Sequence, residues 1–152
     1  HAPFYPGTGR VEEVGGGLGT GTSINIPLPA GSGGSTYRDA FARIVLPVVD
    51  QYGPDWLLVS AGYDGHAEDP LGGMGLVASD YEAMAASLGI AMDRTNTVFI
   101  LEGGYNLDAI AASVAATLDG FAFGTVPIER SEDGDPHVDI AVAVDSLFWD
   151  LD

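Results

Sequence analysis

Residues 56–73 read WLLVSAGYDGHAEDPLGG. An apolar run of strand length stops at small residues. It gives way to Asp64, His66, Glu68 and Asp69. Apolar residues on consecutive positions predict a strand over 56–62, buried on both faces. A second such run, TNTVFILEGG (95–104), also ends in glycines and continues into Tyr105 and Asn106. Between them, Ser79-Asp80-Tyr81-Glu82 has the form of a capping box and predicts a helix running to about Arg94. This is a βαβ unit, which calls for parallel strands and a right-handed crossover. Asp64 and Tyr105 are 105 − 64 = 41 residues apart, one βαβ step. Both loops therefore fall at the carboxyl end of the sheet, where open parallel sheets bind ligands.

The flanking sequence extends this α/β pattern. Residues 1–22 are glycine-rich and loop-like. SINIPLP (23–29) alternates and predicts a short strand. Residues 36–52 carry Tyr37, Phe41, Ile44, Val45 and Val48 at helical spacing, with Thr36 as N-cap. Pro47 should kink or end that helix. Asn106 is placed to cap a helix over 107–120 with Leu107, Ile110, Val114 and Leu118 on its inner face. Residues 129–136 are a polar loop, and the tail reads as a helix or a strand. Three strands make a thin sheet, and two of them look buried on both sides. The expected fold is a three-layer α/β parallel sheet that is incomplete in this chain.

The composition narrows function. The chain has 152 residues, no cysteine and a formal net charge of −17. All five basic residues are arginine. Such a chain repels nucleic acid and anionic membranes, so neither is expected as a direct partner. No thiolate metal site or cysteine nucleophile is possible. No leader pattern is visible at the start. A cytoplasmic location is the expectation. From spacing alone, Asp64 is a good hard-oxygen metal ligand or an ordinary loop carboxylate. Tyr105 is a cleft phenol or a packing residue. His66 reads as an exposed loop histidine, Asp69 as a loop brace, and Glu102 as a structural carboxylate. His137 has no evident role.

Four stretches, in order, resemble the C-terminal half of the histone deacetylase family. They are FYPGTGRVEEVGGGLG (4–19), INIPLP (24–29), PDWLLVSAGYDGHAEDPLGG (54–73) and FILEGGYNLDAIAASV (99–114). SAGYDGHAEDPLGG and LEGGYNL look most like class II and bacterial branches, including acetoin-utilisation and acetylpolyamine types. The resemblance implies an arginase/deacetylase-like fold, with residues 1–152 as the C-terminal portion of a catalytic domain. It implies a zinc (or other divalent metal) amide hydrolase acting on acetylated lysine or a similar amine. Asp64 matches a zinc ligand and Tyr105 the tyrosine of the transition state. Tyr5 matches a wall of the substrate channel, Leu71 its rim, and Gly103 and Gly104 its lining. Leu71 stands where polyamine-selective relatives carry an acidic residue. Thr22 matches a backbone position near a structural K+.

The family's Asp-x-His zinc motif and its tandem histidines precede PGTG; apart from the letters of Asp64-Gly65-His66, no Asp-x-His motif and no His-His pair is read in residues 1–152. The chain therefore resembles part of a catalytic domain and is expected to be inactive alone. It should need its N-terminal half, or should self-associate through an exposed sheet edge. The alternatives are a non-catalytic binding or scaffold module, an acetylpolyamine amidohydrolase, or a complete hydrolase using Asp64, His66 and Asp69 as a local metal site.

Overall fold

A computed structural model describes residues 7–92, 94–130 and 134–151. Strands β1 (Leu57–Ala61) and β2 (Thr97–Leu101) pair in parallel, with Val59 opposite Phe99. The crossover between them is helix α3 (Ala78–Ala91). Helix α4 (Leu107–Phe123) follows β2 and packs along α3. Ahead of β1 lies a helical rod made of α1 (Gly34–Ala40), a wide π turn (Phe41–Val45) and α2 (Leu46–Tyr52). The tail forms α5 (Pro136–Asp145), resolving the helix-or-strand choice as a helix.

The βαβ unit is right, but the strands are not buried on both faces. Burial alternates along each: Val59 and Phe99 turn inward, while Leu58 is 66% exposed and Ile100 44%. The inner face meets the helices, with the Phe99 and Phe121 rings edge-to-face at 5.0 Å. The outer face keeps Trp56, Leu58, Val98 and Ile100 open. A consecutive apolar run is the pattern of a strand covered on both sides. Among the described residues, no second layer covers the outer face.

SINIPLP forms no strand among the described residues. It has no ladder partner, and its apolar side chains pack sideways instead. Leu28 is buried with Val11, Ala40, Ile44, Val138, Ala141 and Leu151, and Ile24 and Ile26 pack against that cluster. Ile26, Pro27 and Leu28 line one wall of a cleft of about 480 Å³ whose opposite wall is β1.

Helix ends also depart from expectation. Gly33, not Thr36, precedes the first helix, and the Thr36 hydroxyl instead donates to Asp135 at 2.8 Å. Pro47 does not end the rod. Its missing N–H and its ring would disrupt an ordinary turn, and the π turn sits immediately before it. Helix α3 starts at Ala78 rather than after Ser79. The Asp80 carboxylate reaches back to accept from the Val77 N–H at 3.0 Å and pairs with Arg38 at 2.6 Å. The inner face of α4 is also different. Ala109, Ser113, Thr117 and Gly120 are buried, whereas Leu107 and Leu118 are exposed. Small side chains let α4 lie close along α3; of the expected inner residues, Ile110 and Val114 do pack inward, against Tyr63, Leu76 and Tyr81, while Leu107 and Leu118 face outward.

Helix α5 is fastened to the rod by charge. Arg43, buried in the rod, bonds Asp39 at 3.1 Å and Asp139 of α5 at 2.7 Å. The Asp135 N–H donates to Asp39, and Asp135 caps α5 through the His137 N–H.

Candidate active site

Two loops meet beyond the carboxyl ends of β1 and β2. The Tyr63 N–H donates to the Gly103 carbonyl at 2.8 Å, continuing the ladder past the strand ends. Asp64 follows, and its carboxylate lies against Gly103. A Cβ on residue 103 would come within 2.7 Å of Asp64 Oδ1 and 2.9 Å of Oδ2. Glycine at 103 is therefore a space requirement set by Asp64. Gly104 has φ +135°, a conformation that side-chain-bearing residues rarely adopt, and it turns the chain toward Tyr105. Asn106 then caps α4 as expected, accepting from the Asp108 and Ala109 N–H groups at 3.1 Å.

Asp64 borders the cleft together with Tyr37, Tyr63 and Tyr81. Burial pushes the Tyr37 phenol up, and the charge of Asp64 adds to the effect. Tyr81 is likewise raised by burial and by nearby phenols and carboxylates. Its hydroxyl is buried with no hydrogen-bond partner. The Tyr37 and Tyr81 phenols are therefore neutral beside Asp64 at ordinary pH. The cleft is otherwise apolar: Leu28, Val45, Leu76, Leu88 and Phe99 contribute.

The other candidates fall in different places. The Tyr105 side chain is 59% exposed, and Leu71 is exposed at the rim of the same loop pair. Gly103 and Gly104 stand between Asp64 and Tyr105. Thr22 is distant in the fold's loop region, with its hydroxyl donating to the Gly19 carbonyl at 2.7 Å. Tyr5 lies outside the described residues. His66 is not an exposed loop histidine. It is 8% exposed, and its Nδ1 accepts from the Glu68 N–H at 3.1 Å. No local signal marks this: the chain returns ten residues later, and Leu76 forms a backbone bridge with His66. A local metal site of Asp64, His66 and Asp69 does not form. Asp69 is turned away to bind backbone N–H groups, and no set of three or more His, Asp or Glu side chains converges among the described residues.

Asp135-Pro136-His137 does have the letters Asp-x-His, a correction to the expectation that none occurs beyond Asp64-Gly65-His66. Its carboxylate is committed to Thr36 and to the α5 cap, and His137 is exposed. It is a helix start.

The family model of the histone deacetylase domain matches residues 1–121. The chain belongs to the histone deacetylase family. It is 44% identical over 120 residues to "Histone deacetylase 10, chloroplastic" of Oryza sativa subsp. japonica, covering 77% of this chain and 27% of that protein. It is 36% identical over 131 residues to "Probable deacetylase" of Archaeoglobus fulgidus, covering 82% of this chain and 36% of the relative. Among solved structures, the HDA15 HD domain superposes with a TM-score of 0.85 at 36% identity, over 97% of this chain and 41% of that one. The histone deacetylase Clr3 gives 0.82 at 34% identity, over 96% and 26%. The fold is thus that of histone deacetylase domains, present here as a partial domain. The chain spans about a third of the curated deacetylases it matches. The structural likeness extends past residue 121 to cover nearly the whole chain, so α5 belongs to the shared architecture.

Proposed function

We propose that this chain contributes part of the active site of a zinc-dependent deacetylase acting on acetylated lysine or a similar amine. The observation that carries the proposal is the Asp64 carboxylate seated against Gly103, in a loop that leads directly to Tyr105. In a chain of the histone deacetylase family, that pair supplies one metal ligand and one phenol.

The residues present do not by themselves fit a zinc ion. Such a site needs three protein ligands and an open position, and Asp64 is a single carboxylate. The remaining ligands and the general base come from outside the chain. Tyr105 has a role that needs no other residue of this chain: its hydroxyl donates a hydrogen bond to the carbonyl oxygen as negative charge develops.

The cleft supports this division. Val59 to Gly65 line it without a break. Val59 to Ala61 belong to β1 and Gly62 to Gly65 to the loop after it. Among the described residues β2 pairs with one edge of β1 and no strand pairs with the other. An extended segment entering between β1 and Ile26–Leu28 would pair with that edge and pass beside Asp64. The open sheet face, with Leu58 and Ile100, awaits a second layer. A net charge of −17 sets two copies of the chain against each other. We therefore assign cleft and face to the rest of the domain rather than to a second copy.

The test is hydrolysis of an acetyl-lysine peptide by the complete domain. Tyr105→Phe should lower kcat about 100- to 1,000-fold, the usual cost of one oxyanion donor, without lowering thermal stability. Full activity in Tyr105→Phe would remove the phenol from the reaction.

A further inference from the structure

We propose that Asp69 is a positioning residue that latches the two strand-end loops together and so fixes Tyr105. The inference rests on the deacetylase reading for its catalytic consequence, but the latch itself is a matter of geometry.

Asp69 is 8% exposed, and both carboxylate oxygens are used. Oδ1 accepts from the N–H groups of Leu71 at 2.9 Å and Gly72 at 3.0 Å, closing the turn of its own loop. Oδ2 crosses to the other loop and accepts from the Tyr105 N–H at 2.7 Å. Burial alone would raise this carboxyl's pKa. The N–H groups of Leu71, Tyr105, Gly72 and Asn106 outweigh it and hold Asp69 below its ordinary value. The ionised form is the one the latch uses, and charge-assisted bonds of this kind are roughly twice as strong as neutral ones. A second bond runs alongside: the Asn106 side-chain amide donates to the Glu68 carbonyl at 3.1 Å.

Three facts make this more than loop bracing. Tyr105 is largely exposed and has no core packing to set its position. Gly104, just before it, gives the backbone wide freedom. Asn106, next in sequence, is tied by its cap of α4 and its bond to Glu68, while the Tyr105 N–H itself is held by Asp69, 36 residues earlier in sequence. The same carboxylate sets Leu71, so rim and phenol are held by one group. A displacement of about 1 Å in a catalytic group can cost 100-fold in rate.

The experiment is Asp69→Asn in the complete domain, with two readouts. Asparagine keeps one acceptor but turns an NH2 toward a donor, so it cannot serve both loops. First, amide hydrogen exchange at Tyr105 should accelerate at least about tenfold, with exchange in β1 and β2 unchanged. Unchanged exchange at Tyr105 would overturn the latch whatever the enzyme's chemistry. Second, kcat should fall 10- to 100-fold while KM moves less than about threefold, and Asp69→Asn added to Tyr105→Phe should cost little more. An equal loss of kcat in the Tyr105→Phe background would show that Asp69 acts by another route. Faster exchange in Asp69→Asn, with a wild-type domain that hydrolyses no acetyl-lysine, would overturn the deacetylase reading and leave the latch standing.

Discussion

Replacing Gly103 with alanine would put a methyl group into the space of the Asp64 carboxylate. The new Cβ would sit 2.7 Å from Oδ1, 2.8 Å from Cγ and 2.9 Å from Oδ2. Ordinary contact begins near 3.4 Å, so the closest pair is short by 3.4 − 2.7 = 0.7 Å. All three atoms belong to one rigid group, which must move as a unit. The same carboxylate also occupies the space a Cβ at Gly62 would need, 2.7 Å from Oδ1, so both glycines make room for it. The backbone of Gly103 is not left-handed and accepts alanine without strain. The cost is therefore overpacking, about 1–3 kcal/mol. Metal–ligand distances tolerate about 0.2 Å, so the displacement should also cost at least about tenfold in zinc affinity, as lesser changes around a metal site do. Urea unfolding of Gly103→Ala, Asp64→Ala and the double variant of the complete domain measures the first effect. In the Asp64→Ala background, Gly103→Ala should cost less than about 0.5 kcal/mol, because the obstructing group is gone. Equal costs in both backgrounds would refute the contact and, with it, the placement of Asp64.

Two further predictions concern stability. Arg43→Met should destabilise by about 3–5 kcal/mol in thermal or chemical unfolding, because it leaves the buried Asp39 carboxylate without its cation. Asp139→Asn, removing the exposed partner of the same guanidinium, should cost no more than about 1 kcal/mol. Asp145 is buried, one of its oxygens has no partner, and burial pushes its carboxyl up to about 6. A raised folded value means that stability is fully present below the unfolded value, near pH 4, and is lost as pH rises through about 6. Asp145→Asn should therefore match the wild type at pH 3.5 and exceed it at pH 7.5 by on the order of 2 kcal/mol. A gain that is the same at both pH values would contradict the assignment.

The sequence made the βαβ unit legible because its signals are local. Consecutive apolar residues, a Gly-Gly stop and the Asn106 cap each act within a few positions. The chain order alone then put Asp64 and Tyr105 at one end of the sheet. What stayed hidden depends on distant partners. Ile24 and Ile26 read as strand residues, yet a strand needs a neighbour and none pairs with them among the described residues. Leu107 and Leu118 have the spacing of an inner face, but α3 takes the small-residue face of α4 because that allows the closer approach. His66 reads as an exposed loop residue but is buried, and its backbone bridges to Leu76, ten residues on, a pairing with no local signal. Asp69 was recognised as a brace, but its second grip, on the Tyr105 N–H, has no sequence signature.

Zinc binding tests the proposed division of the active site most directly. Equilibrium dialysis would compare this 152-residue chain with the same chain joined to the remainder of a deacetylase domain. The isolated chain should bind no stoichiometric zinc. The completed domain should bind one equivalent, and Asp64→Ala should abolish that binding while the domain stays folded. One tight equivalent on the isolated chain, or undiminished binding after Asp64→Ala, would contradict the claim that this chain supplies a single ligand to a shared site.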